Sequence, residues 1–424
     1  MSFFHSNAFL ALRSRDFALI SINQFCLVFA IVIQEVSLSF ALYQMTQDPL
    51  SLGLIAVVEL IPFLCLSLFA GHWADRYNRQ KILQWSFMWS SSIPLLLALL
   101  FYADEQHKIS QHMLLFGIYT LIFVLGILRG IYSPAFNSFR VFLIPTHAQN
   151  NAATWTALIW QVGAITAPLC AGLLINQIGI IQTFIGVFIC CVVGNLALLN
   201  ISKHSFPQLT NLNISQSVTQ ACHFMFKQRL LFWGMLLDLC TALFCSILVL
   251  LPMVAQELLH TGVEGLSLLR AAPAFGTCLM MFILLRCSPM HHAWRNMLLS
   301  SIGIALLTLC FVLSSTIWLS ALLLALIGAL DSISIVIRQT LLQRIPPKDL
   351  LGRVAAINGV LVTSGNQLGS LQSSLTTRYL SIIPAVFLGA GLSLSLCLFS
   401  YLRTRDLLKT SSSHEKYTIL TTGK

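Results

Sequence analysis

The chain has 424 residues, 57% of them hydrophobic and only 9% charged, with a mean hydropathy of +0.83. A soluble domain carries about 25% charged residues, so a water-soluble fold is excluded for want of polar surface. The formal net charge of +10 points to nucleic acid only until its placement is known. The apolar runs are continuous and not alternating, which selects membrane-spanning helices over a transmembrane barrel. The 12 cysteines are scattered through those runs without paired C-x-x-C or His spacing, so they read as small core residues and no metal site is expected. No small-residue cleavage site follows the first run, which therefore reads as a retained helix.

The predicted elements run as follows. The N-terminus, 1–16, is short and basic, and a first helix spans about 17–43. Asp48-Pro49 supplies an N-cap and a first-turn proline for the second, about 50–71. Further helices are expected at about 82–102, 113–136, 152–175 and 179–200. Residues 201–229 are a polar linker whose second half can form an amphipathic helix on the membrane surface. Six more helices follow, at about 230–254, 263–285, 296–314, 317–337, 353–376 and 382–402, and then a polar tail, 403–424.

The expected fold is an all-α membrane protein of twelve transmembrane helices in two pseudo-symmetric six-helix bundles, 17–200 and 230–402. The halves echo each other. Ile144-Pro145 before the fifth helix recurs as Ile345-Pro346 before the eleventh, and Gly53 at the start of the second as Gly265 at the start of the eighth. With the N-terminus inside, Lys and Arg crowd the inner loops and tails, and only Lys108 and Arg378 fall outside. That asymmetry predicts cytoplasmic N- and C-termini and accounts for the positive charge without nucleic acid.

Between the second and third helices lies the densest charge cluster of the first hundred residues, Gly71-His72-Trp73-Ala74-Asp75-Arg76-Tyr77-Asn78-Arg79-Gln80-Lys81. It resembles the signature loop G-x-x-x-D-R-x-x-R-x-[KR] of the major facilitator superfamily. Tyr43 to Lys81, Ser217 to Leu231 and Pro347–Val354 also resemble the bacterial enterobactin (siderophore) exporter-like branch of that superfamily. It implies a latch in which Gly71, Asp75, Arg76, Arg79 and Lys81 meet Gly352 and Arg353 at the start of the eleventh helix, whose dipole favours an anion. Asn78 stands where glycine is usual, and asparagine tolerates left-handed backbone. In the fifth helix Gly163, Ala167, Pro168 and Gly172 resemble the G-x-x-x-G-P-x-x-G-G stretch of proton-coupled exporters, with alanine at two glycine positions.

Six ionisable residues lie inside apolar segments: Glu35, Glu59, Arg129, Asp238, Arg270 and Asp331. Charge in hydrocarbon is costly, so each is expected to face a cavity or a partner and to mark proton coupling. Depth along the predicted helices, at about 1.5 Å per residue, sorts them into two layers. Glu35, Glu59 and Arg270 fall in an outer layer; Arg129, Asp238 and Asp331 in an inner one, where the two aspartates can pair with Arg129. Each layer has two carboxylates and one arginine and can hold a proton at modest cost. Glu35 is the leading proton carrier. Asn23, Gln24, Trp155, Trp160, Gln161 and Asn366 are expected to line a substrate cavity.

The resemblance implies a secondary transporter of the bacterial inner (plasma) membrane. The expected activity is proton-coupled efflux of an amphipathic small molecule, such as a siderophore or drug, by alternating access. Uptake of a small solute (a siderophore product or lysolipid) and a transport-dead receptor or scaffold are the alternatives. No cofactor is expected, since no phosphate loop, metal triad or nucleophile–base pair is present, and the proton gradient would supply the energy. The protein is read as no enzyme; its partners are a small-molecule substrate and the lipid bilayer, and it is expected to be a monomer.

Overall fold

The computed structural model describes residues 10–76, 78–144, 148–202, 214–287 and 289–405; within them the side chains of 68–76, 137–138, 141, 150, 214–219, 221, 348–349, 351–352 and 356 are not described. Every regular element among the described residues is helical. In chain order they are α1 (Arg15–Thr46), α2 (Pro49–Arg76), α3 (Arg79–Glu105), α4 (Gln111–Phe142), α5 (Gln149–Ile178) and α6 (Ile180–Leu199). Then come α7 (Ile214–Lys227), α8 (Arg229–Phe244), α9 (Val263–Leu284), α10 (Ala293–Val312), α11 (Ile317–Arg344), α12 (Lys348–Leu380) and α13 (Ile382–Arg403). Among the described residues, eleven segments are long and apolar enough to cross a membrane. With 33 residues α12 has the length, but Ser364, Asn366, Gln367, Ser370 and Gln372 make it more polar than the others.

Local chemistry explains the helix ends. The Asp48 carboxylate accepts from the Leu50 N–H at 3.0 Å, with Pro49 opening α2. At the α2–α3 junction the charge cluster is not a loop: α2 continues to Arg76 and α3 starts at Arg79. Asn78 does not use the left-handed backbone expected of it. Its φ is −64° and its side chain caps α3, accepting from the N–H groups of Gln80 at 3.0 Å and Lys81 at 3.3 Å.

The seventh segment departs most from expectation. In place of one helix over 230–254, α8 stops at Phe244, Cys245–Ile247 are non-helical, and the chain resumes as a 3-10 turn (Leu248–Leu250), a helical turn (Leu251–Met253) and a π turn (Val254–Leu258). Pro252 has no N–H to give to the turn behind it, and the hydropathy that suggested a continuous helix says nothing about that missing donor.

The helices group into two compact units. The first holds Met1–Thr46, Val57–Thr210 and Gly262–Ala271; the second holds Gln47–Ala56, Asn211–Thr261 and Ala272–Lys424. In the first unit α1 packs on α5 and α6, and α3 on α4 and α6. Its core joins Phe17 and Ile20 to Leu83, Phe87, Tyr132 and Phe139. The second unit repeats the pattern: α8 packs on α12 and α13, and α10 on α11 and α13. Its core joins Leu231, Met235, Trp294, Met297, Ile337 and Leu341. This repetition of first-on-fifth-and-sixth and third-on-fourth-and-sixth is the pseudo-symmetry that the sequence echoes indicated.

Small residues set the closest crossing. A Cβ built on Gly276 of α9 lies 1.7 Å from the Ala325 carbonyl oxygen, and one on Gly328 of α11 lies 2.0 Å from that of Pro273. Backbones this close exclude any side chain. Gly276→Ala is therefore expected to destabilise the protein by about 1–3 kcal/mol. Gly391→Ala, where a Cβ meets nothing within 4 Å, should leave the unfolding midpoint of the purified protein in detergent unchanged.

Candidate functional site

The intramembrane charges come together as pairs. On α2 and α4, Arg129 Nη1 donates to Glu59 Oε1 at 2.6 Å, and the guanidinium lies 5.8 Å from the centre of the Phe63 ring. On α8 and α11, Arg338 pairs with Asp238, both side chains well buried. On α1 and α9, Arg270 pairs with Glu35; the arginine is largely buried and the carboxylate is half exposed, at 52%. Asp331 of α11 is partly buried and makes no hydrogen bond or ion pair with a described residue.

These pairings correct the expected layers. Arg129 reaches Glu59, assigned to the other layer, and not Asp238 or Asp331. The cause is helix length. With α4 running to Phe142, Arg129 is roughly 20 Å from the helix end at 1.5 Å per residue, near mid-membrane. Asp238 is satisfied instead by Arg338, which the sequence reading placed in a loop. A signal was present: Leu341 and Leu342 follow Arg338 and continue the apolar helix, and both are buried. Glu35 and Arg270 do meet, as their shared depth suggested.

The first turns of α9 rest on α1 and α5 within the first unit. Besides the Glu35–Arg270 pair, Asn176 Nδ2 donates to Glu264 Oε1 at 2.8 Å. A Cβ on Gly172 would lie 2.3 Å from Ser267 Oγ, so this glycine of the helix-five stretch lets α9 approach α5. Higher on α5, Gly163 faces Val28 of α1, Ala167 is fully buried, and Pro168 lies within the helix.

The expected cavity residues divide. Asn23 donates to the Gly194 carbonyl at 2.9 Å, tying α1 to α6. Gln24 donates to the Thr156 carbonyl at 3.1 Å and accepts from Arg140 Nη1 at 3.2 Å. Both amides thus serve helix contacts, and Arg140 joins a polar network that the sequence did not single out. Trp155 packs against the first-unit core. Trp160 and Asn366 are exposed and Gln161 is partly buried; the Asn366 carbonyl accepts from Ser370 Oγ at 2.9 Å. Of the expected latch, the side chains of Asp75 and Arg76, and the surroundings of Gly71 and Gly352, lie outside the described residues. Arg79 is buried with its guanidinium 4.9 Å from the Phe142 ring centre. Lys81 is exposed and Arg353 partly buried.

The profile described as Major Facilitator Superfamily matches residues 19–370. No curated protein matches the chain. Among solved structures, the chain is similar to a bacterial homologue of the human lysosomal transporter Spinster in an inward-facing, occupied conformation. The TM-score is 0.73 at 14% identity, over 95% of this chain and 98% of that one. It is also similar to a bacterial homologue of the iron transporter ferroportin in the inward-facing state (TM-score 0.66, 18% identity, 91% and 99% covered). The nucleoside transporter NupG gives a TM-score of 0.65 at 14% identity, with 93% and 99% covered. At these identities the likeness speaks for the fold alone.

A buried pair that loses one member leaves an uncompensated charge. Asp238→Asn is expected to cost about 3–5 kcal/mol of stability. Adding Arg338→Gln should recover a large part of that loss, a coupling that a double-mutant cycle of detergent unfolding measures directly.

Proposed function

The chain belongs to the Major Facilitator Superfamily and has the fold of a secondary transporter, and we propose that it exports an amphipathic small molecule in exchange for protons. The observation that carries this reading is the Glu35–Arg270 pair. A carboxylate inside a membrane protein that is half exposed, yet held by a largely buried arginine, is accessible to a proton and linked to a structural contact. When a proton binds Glu35 Oε, the carboxylate is neutralised. Arg270 keeps its charge, because a guanidinium does not deprotonate in proteins, and its attraction to Glu35 is lost. Among the described contacts, the Asn176–Glu264 bond and small-residue packing then remain between the first turns of α9 and α1 and α5. Loss of the proton restores the pair. This is a two-state element whose equilibrium a proton biases, which is what coupling requires.

The other pairs take different parts in this reading. Glu59–Arg129 and Asp238–Arg338 are less exposed at the carboxylate and act as fixed struts. Asp331 is a second place for a proton. The resemblance of the Gly71–Lys81 stretch and of the helix-five stretch to exporters supports outward transport and a siderophore or drug as cargo. The distribution of Lys and Arg supports cytoplasmic termini, and the resemblance to a bacterial exporter branch supports an inner-membrane location. The latch of Asp75 against the start of α12 belongs to the same reading.

Energised cells carrying Glu35→Gln should lose proton-driven export of a catecholate siderophore or of ethidium, falling to the rate of cells without the protein, while the purified variant still binds that compound. Export at the unaltered rate contradicts the coupling role. A strain lacking the protein should accumulate the compound inside; depletion in its place reverses the direction.

A further inference from the structure

The break in the seventh membrane segment leaves oxygen atoms without the partners a continuous helix would give them. Beyond Phe244, the Ile247 N–H turns to the Cys245 carbonyl at 2.9 Å. In an unbroken helix it would serve the Leu243 carbonyl. The break, from Phe244 to Ile247, lines a cavity in the second unit with room for about one water-sized occupant. Thr308 (α10) and Ser373, Thr376 and Thr377 (α12) also line it, together with the apolar Leu250, Ala385 and Val386.

The protons of these hydroxyls are largely committed elsewhere. Thr308 Oγ1 donates to the Ile304 carbonyl at 2.8 Å and Thr376 Oγ1 to the Gln372 carbonyl at 2.9 Å. Ser246 Oγ sits 3.4 Å from Ser370 Oγ, whose own proton goes to the Asn366 carbonyl. Their lone pairs are what remain. Thr377 is 2% exposed, and its hydroxyl oxygen is buried with no hydrogen-bond partner. A buried hydroxyl without a partner calls for an explanation.

The polar part of the lining therefore offers acceptors, with neither a carboxylate nor a basic side chain. The C-terminus of α8 adds the negative end of a helix dipole, equivalent to roughly half an elementary charge. Neutral oxygens in a small space suit a hard cation of single charge. The one thiol present, that of Cys245, does not make a soft-metal site. Unwound carbonyls at the end of a half-helix are a physical basis for sodium coordination within membranes. The enclosure is tight: a Cβ on Gly389 of α13 would lie 2.4 Å from the Phe244 carbonyl oxygen.

We propose that this break binds one sodium-sized monovalent cation, held by Thr377 Oγ1, the neighbouring hydroxyl oxygens and the carbonyls released at the end of α8. The site shares no residue with the Glu35–Arg270 pair, and its occupancy does not depend on what drives transport.

The test uses the purified full chain in detergent, with neither substrate nor gradient. Unfolding midpoints are compared in sodium, potassium and choline chloride at equal ionic strength. Sodium should raise the midpoint by about 3–6 °C over choline, with potassium matching choline. Thr377→Val keeps the shape and removes the oxygen, and should abolish the rise. Ser395→Ala, at an exposed position, should keep it. Should Thr377→Val fail to fold, binding of radioactive sodium to the unaltered protein decides. One ion per chain, displaced by sodium and not by choline, supports the site. Equal midpoints in all three salts, a full sodium rise in Thr377→Val, or no displaceable sodium overturns it.

Discussion

A charge in a membrane interior costs several kcal/mol unless a partner offsets it, and the placement of this protein's few buried charges follows from that. Glu35, Glu59 and Asp238 each have an arginine, and each pair joins helices distant in sequence. The helices of each unit also pack through apolar side chains, around Phe87 and Tyr132 in one and Trp294 and Met297 in the other. What the pairs supply is specificity of contact, since a helix that slides or turns strands a charge.

The same constraint separates struts from switches. A pair closed to water holds its two members in one arrangement. A pair with one member half exposed, as Glu35 is, can in the proposed mechanism exchange its arginine for a proton. Around it, α9 also meets α5 through Gly172 against Ser267 and the Asn176–Glu264 hydrogen bond, so in the proposed mechanism a change of one charge acts on a contact made in part of small residues. Proton exchange and helix movement are thus linked in the proposed mechanism through a single guanidinium.

Much of this was legible in the sequence because membrane helices announce themselves by length and hydropathy. The helical segments, the Asp48-Pro49 start of α2 and the amphipathic stretch before α8 were found within a few residues. The charges were visible too, as isolated letters in apolar runs. Their partners were less so. Hydropathy fades before a helix ends, so α4 and α11 were read too short, which misplaced Arg129 in depth and put Arg338 in a loop. Asn78 could be read as a turn residue or a cap, and only backbone geometry distinguishes the two. The break after Phe244 was hidden because Cys245–Leu251 is as apolar as the helix it interrupts; the missing N–H of Pro252 was the one cue. Asn23 and Gln24 look like ligand-binding amides in a sequence, but in three dimensions each meets a backbone carbonyl of a neighbouring helix.

The central claim is that Glu35 exchanges Arg270 for a proton. It can be examined without knowing the cargo, by infrared difference spectroscopy of the reconstituted protein between neutral and acidic pH. The account predicts a protonated-carboxyl C=O band in the unaltered protein that is missing from Glu35→Gln. Identical difference spectra from the two proteins would contradict it.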